Sequence, residues 1–564
     1  MSTFDNTGTK GDVNTVVGSL SEAGGSEEYE TAVPVPAPVA RNWRFWMVFA
    51  ALSITGLLSA IEATVISTAL PTISERLNIG EDYAWLVNSF FLTSMIFQPL
   101  FGQVADIFGR RWLMIFSVAV FIVGSGICGG ASSSAMLIAG RSIQGIGGGG
   151  VNVLIELIIC DLVPLRERGK FLGIVISTFT VGSSVGPFLG GLIVEKTIWR
   201  WIFYMSLPIG GGSLLLLFAF LQVQYTKEST FVQKMKRIDW PGNAVLIPAL
   251  IAILIALTDA GTKAPWSSSR IIVPLTLGLI GLIAFQSYES SKFCLEPTVP
   301  PSLFSNRTTV TAYILVFLQT ITAIWVIYFF PVYFQAVLLS SPYRSGVQIL
   351  ATFLVVLPFA ALGGVLISKF GRYRPLHHIG FALMTLGFGL NTLLDAKSST
   401  AEWVIYQTII AAGQGLLVSS ALPAIQAGLP EELAASSTAT FAFTRSFGAV
   451  WGVTIPAVIF NNQFNKSAKA ITDPAIRSQF SHGQAYGHGT RDFINSFEPA
   501  VREEIIGVYV GSLKVVWQVA IAISAFSFLL VFIEKEIKLR TELATEYGMK
   551  ATKTKEATTE PEKV

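Results

Sequence analysis

Apolar positions along this chain do not alternate with polar ones. They gather into long runs separated by short polar segments. Fourteen runs are long enough to be helices crossing a bilayer, each near the roughly 20 residues such a crossing needs. The first six cover 46–69, 84–104, 112–131, 137–159, 170–194 and 200–221. Two shorter ones follow at 243–259 and 271–288, and the last six at 311–337, 347–368, 376–395, 403–426, 440–460 and 514–533. Residues 1–43 are polar and of low complexity, with Glu27, Glu28 and Glu30 before a Pro-Val-Pro-Ala-Pro-Val run, and predict a disordered tail. No basic stretch with a short apolar core precedes a cleavage site, so the first span is expected to act as the membrane signal.

Composition agrees with this pattern. The 564 residues are 52% hydrophobic and 13% charged, against roughly 25% charged in a soluble domain. Three cysteines and four histidines leave no room for a disulfide framework and little for a metalloenzyme. A net charge of +3 does not suggest nucleic acid binding. No P-loop is present, which argues against an ATP-driven pump, and no cofactor is expected. Basic residues, among them Arg110, Arg111, Arg168, Lys234 and Arg372, are twice as frequent in the short loops on the side of the N-terminus as in those opposite. That bias predicts cytoplasmic termini. Segment 461–513 is then external, and its sequon Asn465-Lys466-Ser467 is a glycosylation candidate. The sequon at Asn306 is expected inside and unmodified.

An internal repeat gives the organisation. Gly102–Arg111 reads GQVADIFGRR, and Gly364–Arg374 reads GVLISKFGRYR, each with glycines seven apart, Phe before the second and Arg after it. Gln144-Gly145 is echoed by Gln414-Gly415. The expected layout is a tail at 1–43, a six-helix half at 44–222, and a linker with two inserted helices at 223–309. A second six-helix half follows at 310–534, then a cytoplasmic tail at 535–564. Paired halves suggest a transporter with its substrate site at mid-membrane between them.

Candidate chemistry lies in the few charges inside spans, which are costly there and functional by default. Glu62 stands about 7 Å outward of the middle of span 1. Arg141, Gly145, Gly148, Asn152 and Glu156 recur at spacings that share one face of span 4. Glu62 and Arg141 lie in the same half of the membrane and are expected to interact, protonation of Glu62 weakening the contact. Glu156, near the inner end, is either a second coupling group or a side chain snorkelling to the interface. Asn88, Gln144, Asn152, Gln319, Trp325, Tyr328, Gln414 and Arg445 are cavity candidates, although the aromatic ones equally suit a lipid-facing position.

Four segments resemble signatures of the major facilitator superfamily. The loop with Gly102, Asp106, Gly109, Arg110 and Arg111 resembles its G-x-x-x-D-x-x-G-R-R/K motif, and Arg141–Gly150 resembles its R-x-x-Q-G-x-G motif. Gly182, Gly186, Pro187, Gly190 and Gly191 resemble its helix 5 antiporter motif. IEATVISTALP from Ile61 resembles the helix 1 motif of the 14-helix drug:proton antiporters, with Glu62 in place of Asp and Ser67 in place of Asn. Trp199–Gly210 is similar to fungal toxin and secondary-metabolite pumps.

The resemblance implies an all-α membrane protein of the major facilitator fold. It also implies that the first loop latches the halves and that the helix 5 motif favours exchange. The function implied is proton-coupled efflux of a hydrophobic toxin, metabolite or drug, by a monomer in the plasma or vacuolar membrane whose partners are cargo, protons and lipid. A proton-coupled importer of a siderophore or other small molecule is the alternative. An enzyme is not expected, and a signalling sensor would carry a longer tail.

Overall fold

The computed structural model describes residues 43–77, 83–222, 231–260, 264–294, 297–480, 485, 488–489 and 491–540, and these are helical almost throughout. A helix stands at each of the fourteen expected positions. The first half comprises α1 (Trp43–Leu77), the pair α2 (Tyr83–Ile96) and α3 (Gln98–Phe108), α4 (Arg110–Gly129), α5 (Ser134–Leu162), α6 (Leu165–Lys196), and α7 (Trp201–Tyr204) with α8 (Ser206–Phe220). A short basic helix α9 (Phe231–Arg237) precedes the inserted pair, α10 (Trp240–Asp259) and α11 (Ser269–Glu289). The second half comprises α12 (Arg307–Val332), α13 (Pro342–Phe370), α14 (Arg374–Asn391), α15 (Thr400–Gln426), α16 (Ala434–Ser467) and α19 (Pro499–Leu530), with the short α17 (Pro474–Gln479) and α18 (Arg491–Asn495) before the last.

Among the described residues, 12 helices are long and apolar enough to cross a membrane, or up to 13 if the bent α2–α3 pair is one span. The expected count of 14 is therefore not reached by this measure. The remaining helix, α14, has 18 residues and carries Arg374, His377, His378 and Asn391, which dilute its apolar content.

Two further differences have local causes. Span 2 bends by 43° at Phe97. Pro99 follows at the start of α3, where it lacks the N–H that would continue the ladder. The segment expected outside is shorter than 461–513, because α16 runs on to Ser467 and α19 starts at Pro499. Both extensions are amphipathic. Phe464, Ile505, Val508 and Tyr509 bury one face against Phe480, Ala485 and Ile494 of the intervening segment.

The helix pairing repeats between halves. α1 packs on α6 as α12 packs on α16, α2 on α5 as α13 on α15, and α4 on α5 as α14 on α15. α1 against α8 matches α12 against α19. The two halves meet mainly through α6 with α13 and through α3 with α16. α10 rests on both α2 and α16 while pairing with α11.

Candidate functional site

Between the halves lies a cavity of about 1980 Å³ with a largely apolar lining. Its mouth is formed by Leu192, Trp266, Gly346, Asn462 and Asn465, at the end away from the basic loops. Its floor carries Gln98, Asn152, Glu156, Arg445 and Ser446.

Below that floor the halves are closed. At Gly102, on α3, an added Cβ would overlap the Cβ of Ala439 on α16, so glycine is what allows the approach. Gln98 Oε1 accepts a hydrogen bond from Ser446 Oγ at 3.1 Å. Arg168, at the start of α6, crosses to Glu431 and to Gln426 of the other half, and donates to the carbonyls of Cys160 and Val163. Its guanidinium is buried, so its fixed fork of donors is used on several acceptors at once.

The predicted latch loop is folded tightly. Gly109 joins α3 to α4 at φ 86°, a conformation that favours glycine. Arg110 donates to Asp161 Oδ2 on α5 at 2.8 Å, to Asp106 Oδ1 at 2.8 Å and to the Ala105 carbonyl at 2.8 Å. Arg111 instead faces outward, bonding the Phe218 carbonyl at 2.7 Å and lying against the rings of Trp112 and Phe218. The bonds of Arg110 to Asp106, Asp161 and the Ala105 carbonyl lie within the first half, and Arg168 makes a link across. Neither Asp161 nor Arg168 with Glu431 was singled out from the sequence. Arg168 reads there only as a basic residue that marks topology, and Asp161 and Glu431 stand at span ends, where charge is ordinary.

Glu62 and Arg141 come together as expected. Both are fully buried, with Arg141 Nη1 at 3.4 Å from Glu62 Oε1. Ser206 Oγ donates to Glu62 Oε2 at 2.6 Å. Arg141 also donates to Gln144 Oε1 at 2.6 Å and to the Leu86 carbonyl at 3.2 Å, and sits 4.5 Å over the Phe90 ring. Gln144 completes the cluster by donating to Ser125 Oγ at 2.7 Å. The cluster lies within the first half, behind a cavity wall that includes Ser59, Ala63 and Phe90.

The cavity candidates divide. Asn152, Gln319, Tyr328 and Arg445 line it, as does Glu156. Gln144 does not, being held by Arg141. Trp325 is fully buried in the apolar core of the second half. Gln414 is also buried away from the lining. The side chains of Asn88, Pro187 and Gly191 lie outside the described residues. α6 runs unbroken past the antiporter motif, and Gly182 and Gly186 pack against Leu57, Ala60, Ile61 and Thr64 of α1. Asn465 lies in the last turns of α16, at the cavity mouth, rather than in a loop.

One pairing was not foreseen. Glu156 on α5 and Arg445 on α16 form an ion pair of 2.6 Å across the halves. Each had been read from the polarity of its own span, and nothing in a linear pattern brings two residues 289 positions apart into contact. Elsewhere, Asp239, Glu289 and Cys294 gather ligand-type atoms within 4.8 Å of one another. Glu289 accepts from the Thr298 and Val299 amides and Asp239 Oδ1 caps α10, bonds that fasten the inserted pair.

Paired six-helix halves, a large apolar cavity open at one end and closed at the other, and ion pairs buried among the helices define a membrane transporter. The chain belongs to the Major Facilitator Superfamily, whose model matches residues 52–453. It is 51% identical over 521 residues to the MFS-type transporter gkaD of Penicillium citrinum, covering 92% of this chain and 89% of that one. It is 46% identical over 522 residues to the MFS-type efflux transporter phmH of Phaeosphaeria nodorum, covering 91% and 89%. Among solved structures, the proton:xylose symporter XylE shares the fold at a TM-score of 0.55 and 16% identity, covering 88% of this chain and 98% of that one.

Proposed function

We propose that this protein is a proton-coupled efflux pump for hydrophobic small molecules of the secondary-metabolite, toxin or drug type, acting as a monomer in the plasma membrane. The observation that carries the reading is the large apolar cavity between the halves. Burying apolar cargo surface there is favourable by about 25 cal/mol per Å². The efflux function named for relatives such as phmH supports the direction of transport.

Coupling is assigned to Glu62 and Arg141. The contact between the buried Glu62 carboxyl group and the Arg141 guanidinium is the part of the molecule that a proton can switch. A proton reaching it cancels the attraction and frees Arg141 and Ser206 to rearrange. Inward movement of one charge through 100 mV supplies about 2.3 kcal/mol, and each pH unit about 1.4. Together these sustain a cargo gradient of a hundredfold or more, since each factor of ten takes about 1.4 kcal/mol. Arg168 with Glu431 and Gln426 holds the basic side shut in this state, and Arg110 with Asp106 and Asp161 braces the first half beside it.

The test is flux in oriented vesicles. A hydrophobic fluorescent cargo should leave the cytoplasmic face when a pH gradient is imposed, and stop when a protonophore collapses it. Net movement toward the cytoplasmic face would establish the importer instead.

A further inference from the structure

Among the described residues that line the cavity, Glu156 and Arg445 alone are charged. They are paired at 2.6 Å, yet they do not meet the cavity equally. The Arg445 side chain is 35% exposed and that of Glu156 only 8%. Neutral apolar cargo gains nothing from this arrangement and the fold little, because well-packed apolar residues in place of such a pair are often no less stable. The sign of the cargo follows from the asymmetry. A cation would have to reach the member that is covered, whereas an anion meets the one that is open. Arg445 lies 5.2 Å over the ring of Phe441, and the polar floor residues Gln98 and Ser446 are uncharged and bonded to each other. A guanidinium so placed suits a carboxylate, sulfonate or similar acid group, which it can bind with two parallel hydrogen bonds.

We propose that the cargo is an amphipathic organic anion, whose apolar body fills the cavity while its acid group pairs with Arg445 in place of Glu156. The proposal rests on the efflux reading above and names the class of molecule it applies to. It also gives the pair a role in the cycle. Glu156 and Arg445 belong to opposite halves, so when the halves part on the basic side they separate, and Arg445 is uncovered for cargo. When that side closes, Glu156 returns to Arg445 as a built-in competitor and displaces the acid group toward the open mouth.

The test uses the full-length protein in nanodiscs and three probes of one size: 1-pyrenesulfonate, 1-pyrenemethanol and 1-pyrenemethylammonium. The unaltered protein should bind the sulfonate about tenfold or more tighter than either other probe. That preference should collapse in Arg445→Gln and persist in Arg445→Lys, and being a ratio, it does not depend on how much of a variant folds. In Glu156→Gln the sulfonate should bind several-fold tighter, the mark of a removed competitor, which a merely structural pair would not give. Absence of preference in the unaltered protein, or weaker sulfonate binding in Glu156→Gln, overturns the proposal. Vesicle flux separates it from the efflux reading. Export of both sulfonate and alcohol at equal rates retains efflux and removes the anion class. Arg445-dependent binding without export retains the anion class and removes efflux.

Discussion

At the residue scale, the buried cluster around Arg141 sets the clearest expectations. Its guanidinium reaches Glu62, Gln144 and the Leu86 carbonyl at once. Removing one member of such a pair leaves an uncompensated charge, typically at a cost of 3–5 kcal/mol. Arg141→Ala is therefore expected to lower the thermal unfolding midpoint sharply in detergent, and Arg141→Lys to restore it poorly, since an ammonium cannot reproduce the planar fork. Glu62→Gln is different. It also leaves the Arg141 charge unbalanced, as a protonated Glu62 would, but it keeps a side-chain oxygen that can accept from Ser206 and contributes nothing to the proton cycle. This variant should fold and bind cargo yet lose pH-gradient-driven flux. Flux in Glu62→Gln equal to that of the unaltered protein would remove Glu62 from the coupling. This pair was legible in the sequence because charge inside a span is rare, and helix rise placed both residues in the same half of the membrane.

At the scale of elements, the approach of α3 to α16 is the most exposed to a single change. Gly102→Leu puts a side chain where Ala439 already lies, so the closed side should be held apart. A cysteine placed at the mouth as Asn462→Cys should then react several-fold more slowly with a membrane-impermeant maleimide, as the mouth closes in compensation. Unchanged labelling would show that α3 and α16 tolerate the bulk without shifting. The sequence revealed most helices, because bilayer thickness fixes their length and their apolar content is unmistakable. It did not reveal the bend at Phe97, since proline is common near helix starts and marks no angle. Nor did it reveal the added turns of α16 and the early start of α19, whose polar faces resemble loops until the partners Phe480 and Ile494 are in place. Contacts such as Arg168 with Glu431 depend on how two halves dock, and hydropathy carries no record of docking.

At the scale of the whole molecule, the two halves meet through helix packing and a few charged contacts, and at the latter exchange of charges should be tolerated better than their loss. Arg168→Glu and Glu431→Arg should each reduce export, and the double variant should recover part of it, with a coupling of about 0.5–3 kcal/mol in a double-mutant cycle. Additive losses would mean that the contact does not hold the closed side. Sidedness has its own test. Deglycosylation should shift the mass of the protein when it is made in a glycosylating host, and Asn465→Gln should abolish that shift. A glycan on Asn306 would place the basic loops outside.

The inserted pair breaks the symmetry that the rest of the chain repeats. α10 bridges α2 and α16, one helix from each half, and lends Leu254, Leu257 and Ala260 to the cavity wall. On that flank the gap between the halves is sealed by protein instead of acyl chains. The two seams of the molecule are then unlike in kind. A cargo dissolved in the bilayer meets a closed wall at this one, and the hairpin that closes it must ride with both halves through every cycle, as a gasket does between moving plates.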